Sequence, residues 1–124
     1  MLVQLAVVVV ALTLCSVALG AAGVTGTYTA TIKSPTEIKG TWVVTFARGG
    51  RYTVALNGKG LARGTYSASA TTITLRESSA AGCGGTGTYA WKKSGQTLRF
   101  MRKREAPACQ GRAAVLAHPF VQVR

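Results

Sequence analysis

Few side chains in this sequence are equipped for chemistry. It holds three carboxylates, Glu37, Glu77 and Glu105, with no Asp, one histidine, His118, and three cysteines, Cys15, Cys83 and Cys109. General acid and base catalysis needs two such groups within reach of one substrate, and no two of these carboxylates are close in sequence. Glu37 falls in a turn beside Lys39, Glu77 closes a strand-like run, and Glu105 follows Arg102-Lys103-Arg104. Surface charge is the expectation for all three. His118 lacks an Asp partner, and with Cys83 and Cys109 committed to each other it lacks co-ligands for a metal, so a structural role near the closing strand is expected. The chain is expected not to be an enzyme and to carry no cofactor.

One stretch imitates a nucleotide site. Gly82-Cys83-Gly84-Gly85-Thr86-Gly87 has the spacing Gly-x-Gly-x-x-Gly. That fingerprint holds a pyrophosphate only between a preceding strand and the N-terminus of a following helix. Here Thr88-Tyr89-Ala90-Trp91 follows, a strand pattern, and a flexible disulfide-bearing loop is the better reading.

The remaining chemistry is charge. Fifteen Lys and Arg against three Glu give a formal net charge of +12, which favours anionic surroundings and is silent on fold. Lys92, Lys93, Arg99, Arg102, Lys103 and Arg104 fall on one expected hairpin and form the candidate basic surface. An anionic envelope surface is the partner this suits. Nucleic acid is disfavoured, because single-strand binding on a barrel uses outward aromatic rings as stacking platforms, and none is left over once the core is filled.

The elements that position these residues begin after an apolar leader. Met1 to Gly23 is broken only by Gln4, Thr13 and Ser16 and ends in small residues. Residues 1–22 read as a secretory signal peptide or, being nearly long enough to span a bilayer, an uncleaved N-terminal anchor. The domain is expected over 24–124, exported to the periplasm or beyond. Loss of the leader discards Cys15 and leaves Cys83 and Cys109, an even number suited to an oxidising compartment. We expect these two to pair. They lie at nearly equal distances from the turn at Ser94-Gly95, so antiparallel neighbours bring their loops together at one end of the fold.

From Gly26 onward the pattern alternates with period two. Strands are expected over Gly26–Lys33, Gly40–Ala47, Arg51–Leu56, Gly60–Ala68, Thr71–Arg76, Thr86–Lys93 and Gln96–Lys103. Asn57-Gly58 supplies a two-residue hairpin turn. Ser78–Gly85 is a small-residue loop. Ala113–Val123, broken by Pro119, reads as a closing strand, with room for a short helical turn. Gly-Thr-aromatic recurs at 26–28, 40–42, 64–66 and 87–89; we read Gly there as allowing a bend or the close packing of a neighbouring ring. All nine aromatics fit the inner face in one register. The expected fold is all-β, a single up-and-down antiparallel barrel of about eight strands with one disulfide.

By these residues the chain resembles the bacterial exported lipocalin-like (calycin-type) small β-barrel proteins. The likeness is carried by Gly40-Thr41-Trp42, Gly50-Arg51-Tyr52-Thr53-Val54, Asn57-Gly58-Lys59, Arg63-Gly64-Thr65-Tyr66, Gly87-Thr88-Tyr89-Ala90-Trp91 and Cys109-Gln110-Gly111-Arg112-Ala113-Ala114. Gly40-Thr41-Trp42 is similar to the Gly-x-Trp signature of lipocalins, and Arg112 to the late Arg that stacks on that Trp. The resemblance implies an internal pocket in a group mostly without assigned activity. Two functions follow as expectations. One is a monomeric binding protein for a small hydrophobic or amphipathic molecule, contacted by some of Tyr28, Trp42, Tyr52, Tyr66, Tyr89 and Trp91. The other is a structural or interaction protein of the envelope with a filled core and a basic anion-binding surface. A barrel of this size is compatible with either.

Overall fold

The computed structural model describes residues 23–78 and 82–124. The expected leader, residues 1–22, lies outside the described residues. Eight strands follow one another around a closed antiparallel barrel. They are β1 Gly26–Ile32, β2 Gly40–Ala47, β3 Arg51–Leu56, β4 Lys59–Ala68, β5 Thr72–Glu77, β6 Thr86–Ser94, β7 Thr97–Arg104 and β8 Phe120–Gln122. Each strand from β2 to β7 pairs with its sequence neighbours, and β8 closes the barrel against β1. The seven expected strands are present with ends displaced by at most a residue.

Registers define two ends. Turns β2–β3, β4–β5 and β6–β7 lie at one, the turn end; the connections β1–β2, β3–β4, β5–β6 and β7–β8 lie at the other, the loop end. At the loop end Asn57 (φ 51°) and Gly58 (φ 84°) make the tight β3–β4 turn, the positive dihedrals that a two-residue hairpin with strand-matched twist requires. The β1–β2 connection contains a cis Ser34–Pro35 peptide and a 3₁₀ turn over Thr36–Ile38.

The last segment departs from expectation. Residues 110–116 form helix α1, Gln110–Leu116, after a 3₁₀ turn at Pro107–Cys109, and only Phe120–Gln122 is strand. Gln, Arg, Ala and Leu favour helix, and Val115 is the only β-branched residue among the seven. Val115 and Leu116 bury against the core, and Pro119 cannot continue the helix. β8 is consequently short. It meets Tyr28 and Thr29 of β1 and Thr97 and Leu98 of β7, while α1 occupies the loop end.

Eight of the nine aromatic rings are buried, and Trp91 is half-buried. Phe46 is the centre of the ring cluster. Its centroid lies 6.1 Å from Tyr28, 6.1 Å from Tyr52, 5.1 Å from Tyr66 and 6.2 Å from Phe100. Phe100 continues the chain to Tyr89 and Phe120 in edge-to-face geometry, which suits the charge distribution of aromatic rings.

Of the four recurrent glycines, Gly26 (φ 142°) and Gly40 (φ 140°) take the backbone geometry that glycine favours, in keeping with a bend, whereas Gly64 and Gly87 have a different reason. A Cβ on Gly64 would lie 2.1 Å from the carbonyl oxygen of Arg76, and on Gly87 2.5 Å from the Glu105 carboxylate. Backbone and a buried acid, more than rings, crowd these positions.

Candidate functional site

Between the ring cluster and α1 lies a cavity of about 280 Å³ at the loop end. Its inner wall comes from alternate residues of β2 and β3: Trp42, Val44, Phe46, Tyr52 and Val54. Leu75 of β5 completes that side, while Ile38, Val115 and Leu116 cover it. Trp42 is fixed in place because its indole Nε1 donates a 2.8 Å hydrogen bond to the Ile38 carbonyl, the partner that a buried indole N–H needs. The ring therefore joins β2 to the 3₁₀ turn and forms part of the cavity wall.

The polar end of the cavity is built around Arg112 of α1. Its Nε donates to Glu105 Oε2 at 2.9 Å and its Nη2 to Glu105 Oε1 at 2.7 Å, a two-pronged match of guanidinium to carboxylate. Nη2 also donates to the Gly85 carbonyl at 3.2 Å, and Nη1 to the Tyr52 hydroxyl at 3.5 Å. Glu77 Oε2 stands 3.8 Å from Nη1. The Arg112 and Glu105 side chains are 7% and 1% exposed, so this is an interior ion pair. Tyr89 donates its hydroxyl to Glu105 Oε2, and the Ala106 N–H to Glu105 Oε1. Glu77 Oε1 accepts the Cys83 N–H at 2.7 Å.

These contacts set the protonation of the group. Burial alone would raise the Glu105 pKa, but hydrogen bonds from Arg112, Tyr89 and Ala106 outweigh it and hold the carboxyl below its ordinary value. Burial would likewise lower Arg112; hydrogen bonding and attraction to Glu105 raise it instead. Burial first, then the neighbouring acids, pushes Tyr52 and Tyr89 well above the usual phenol range. Both phenols are therefore protonated at neutral pH, where they serve as neutral hydrogen-bonding groups beside the ion pair.

Two expectations are corrected here. Glu77 and Glu105 are not surface charges: both enter the interior, and Arg112 brings them together. Glu37 is exposed at the cavity rim, as expected. Arg112 does share the cavity with Trp42, but its guanidinium is held by Glu105, Gly85 and Tyr52. Part of this was legible. Ile73, Leu75 and Glu77 are successive inward positions of β5, so period two alone points Glu77 inward. Glu105 had no such signal. A bulge pairs Thr88 with Arg104 but Tyr89 with Arg102, leaving Lys103 extra, and one extra residue reverses the side on which every later side chain falls.

Of the six aromatic candidates for ligand contact, Trp42 and Tyr52 line the cavity. Tyr28, Tyr66 and Tyr89 are buried in the barrel and do not line it, Tyr89 reaching its polar end only through Glu105. Trp91 packs toward the turn end, where its Nε1 donates to the Ser69 carbonyl at 3.0 Å. Cys83 and Cys109 are joined, with Cα atoms 5.2 Å apart, and both line the cavity. The bond ties the β5–β6 loop to the start of α1. Of the basic candidates, Lys92, Arg99, Arg102, Lys103 and Arg104 are exposed. Lys93 turns inward and sets its Nζ 5.7 Å from the centre of the Tyr28 ring. His118 is half-buried just after α1. Among the described residues no group of three or more His, Cys, Asp or Glu is placed to hold a metal ion, and no helix is long and apolar enough to cross a membrane. The chain matches no protein-family model, no curated protein and no solved structure.

Proposed function

We propose that this chain is an exported, lipocalin-like binding protein that holds a small hydrophobic or amphipathic molecule at the loop end of its barrel. The observation that carries this reading is the cavity beside Trp42: about 280 Å³, mainly apolar walls and a few polar groups converging at one end, the usual composition of a ligand site. An apolar cavity of about 150 Å³ holds benzene, so a molecule of roughly ten non-hydrogen atoms is the right scale. Tryptophan emission tests this directly. In a Trp91→Phe variant Trp42 is the sole tryptophan, and 1-octanol is expected to shift its emission with saturation. Unchanged emission across 1-octanol and comparable hydrophobic probes would remove the proposal.

A second reading has its own observation. On the outer face of the β6–β7 hairpin Lys92 pairs directly with Arg99, and like charges placed opposite one another destabilise a sheet. An anionic surface would relieve that repulsion. Retention on vesicles containing phosphatidylglycerol, lost as salt rises, is the expected outcome; retention indifferent to salt would count against it.

A further inference from the structure

The charge lining the cavity is the reverse of the charge on the molecule. Of fifteen Lys and Arg, Arg112 alone lines the cavity, whereas two of the three carboxylates, Glu37 and Glu77, do. The third, Glu105, sits behind Arg112 and takes two of its N–H groups. Arg112 is thereby neutralised within the wall, and Glu77 is a surplus carboxylate, 7% exposed, at the cavity's polar end. Its Oε1 accepts the Cys83 N–H, while Oε2, at 3.8 Å from Arg112 Nη1, is beyond hydrogen-bond length of that nitrogen. A carboxylate has about four acceptor sites, so after the Cys83 N–H Glu77 retains capacity for a further donor. Exposed cations on the outside are screened by solvent over about 8 Å; a charge in a partly enclosed wall is screened less.

We propose that the cavity selects a small apolar amine, its ammonium donating to Glu77 and its hydrocarbon body lying against Trp42, Val44 and Leu116. This deepens the ligand-binding reading above and rests on it. A carboxylate ligand is disfavoured twice: Glu77 repels it, and Arg112, the cation that would attract it, is already occupied by Glu105. A neutral ligand of the same length fills the same apolar space without the ionic contact.

The test is a matched series of n-octylamine, 1-octanol and octanoate, titrated into the full chain at pH 7 and read by Trp42 emission in the Trp91→Phe background and by calorimetry. The expected order is amine tightest, by at least tenfold over the alcohol, and carboxylate weakest. In Glu77→Gln the amine is expected to fall to the level of the alcohol, with the alcohol unchanged. Equal affinity across the series, or octanoate tightest, would overturn the amine assignment while leaving ligand binding intact. Binding of none of the three would remove both. Because the series is run first on protein with Glu77 in place, the outcome does not depend on the variant folding.

Discussion

Arg112 and Glu105 are the pair on which the loop end depends. A buried ion pair is not by itself a large source of stability, but removing one member strands the other in the interior at about 3–5 kcal/mol. Arg112→Ala is expected to lower unfolding free energy by that order in urea titration, and Arg112→Lys to recover only part of it, since an ammonium cannot match both oxygens of Glu105. The pair also sets pH behaviour at both extremes. Glu105 has a depressed pKa in the folded protein, so its contribution is complete above its unfolded value, near 4.5, and is lost as pH falls through the folded value. Tyr52 and Tyr89 are raised above 10.0. The sign is opposite for them: their contribution is complete below pH 10.0 and declines as pH climbs beyond it, because only the unfolded chain ionises there. Stability measured against pH should therefore fall on both limbs, and Glu105→Gln should flatten the acid limb. Phenolate absorbance of Tyr52 and Tyr89 should appear together with alkaline unfolding and not before it.

At the scale of elements, the disulfide and the glycines bear on how the cavity is walled. Cys83 and Cys109 are 26 residues apart, and in the chain-entropy account closing such a loop contributes about 3–4 kcal/mol. Replacing both by Ser should lower the thermal midpoint accordingly and weaken octanol binding, since the bond joins two walls of the cavity. Gly64→Ala should cost about 1–3 kcal/mol or more, because the added methyl meets the fixed carbonyl of Arg76; a neutral result in chemical unfolding would refute the close approach. These elements were legible in the sequence to different depths. Strict alternation locates β1 to β7 within a residue, and the number of cysteines and their symmetry about the Ser94-Gly95 turn point to the Cys83–Cys109 pair. Alternation fails where the period changes. The extra Lys103 turned Glu105 inward without any mark in composition, and residues 110–116 carried too few apolar positions to separate a helix from a strand. The site was therefore half readable: Trp42 and Tyr52 lie on regular strands and the cysteines are marked by their number, whereas Arg112 and Glu105 depend on a bulge and a seven-residue helix.

The whole molecule divides its barrel between two uses. Packed rings around Phe46 fill the interior toward the turn end, while the cavity occupies the loop end, so a filled core and a pocket coexist in one short barrel. Its closure is uneven. Every pairing from β1 to β7 joins strands adjacent in sequence, whereas the seam through β8 joins Tyr28 to Gln122 and Thr29 to Val121 across almost the whole chain. Local hairpins form quickly, and contacts between distant residues wait until the loop-closure entropy can be met. The barrel is thus a ring whose last joint is three residues long, and time enters the structure at that joint. The amides of Gln122 and Val123, which donate to the carbonyls of Gln96 and Thr27, are expected to gain protection after those of β2 and β3 during refolding and to exchange sooner in the native protein.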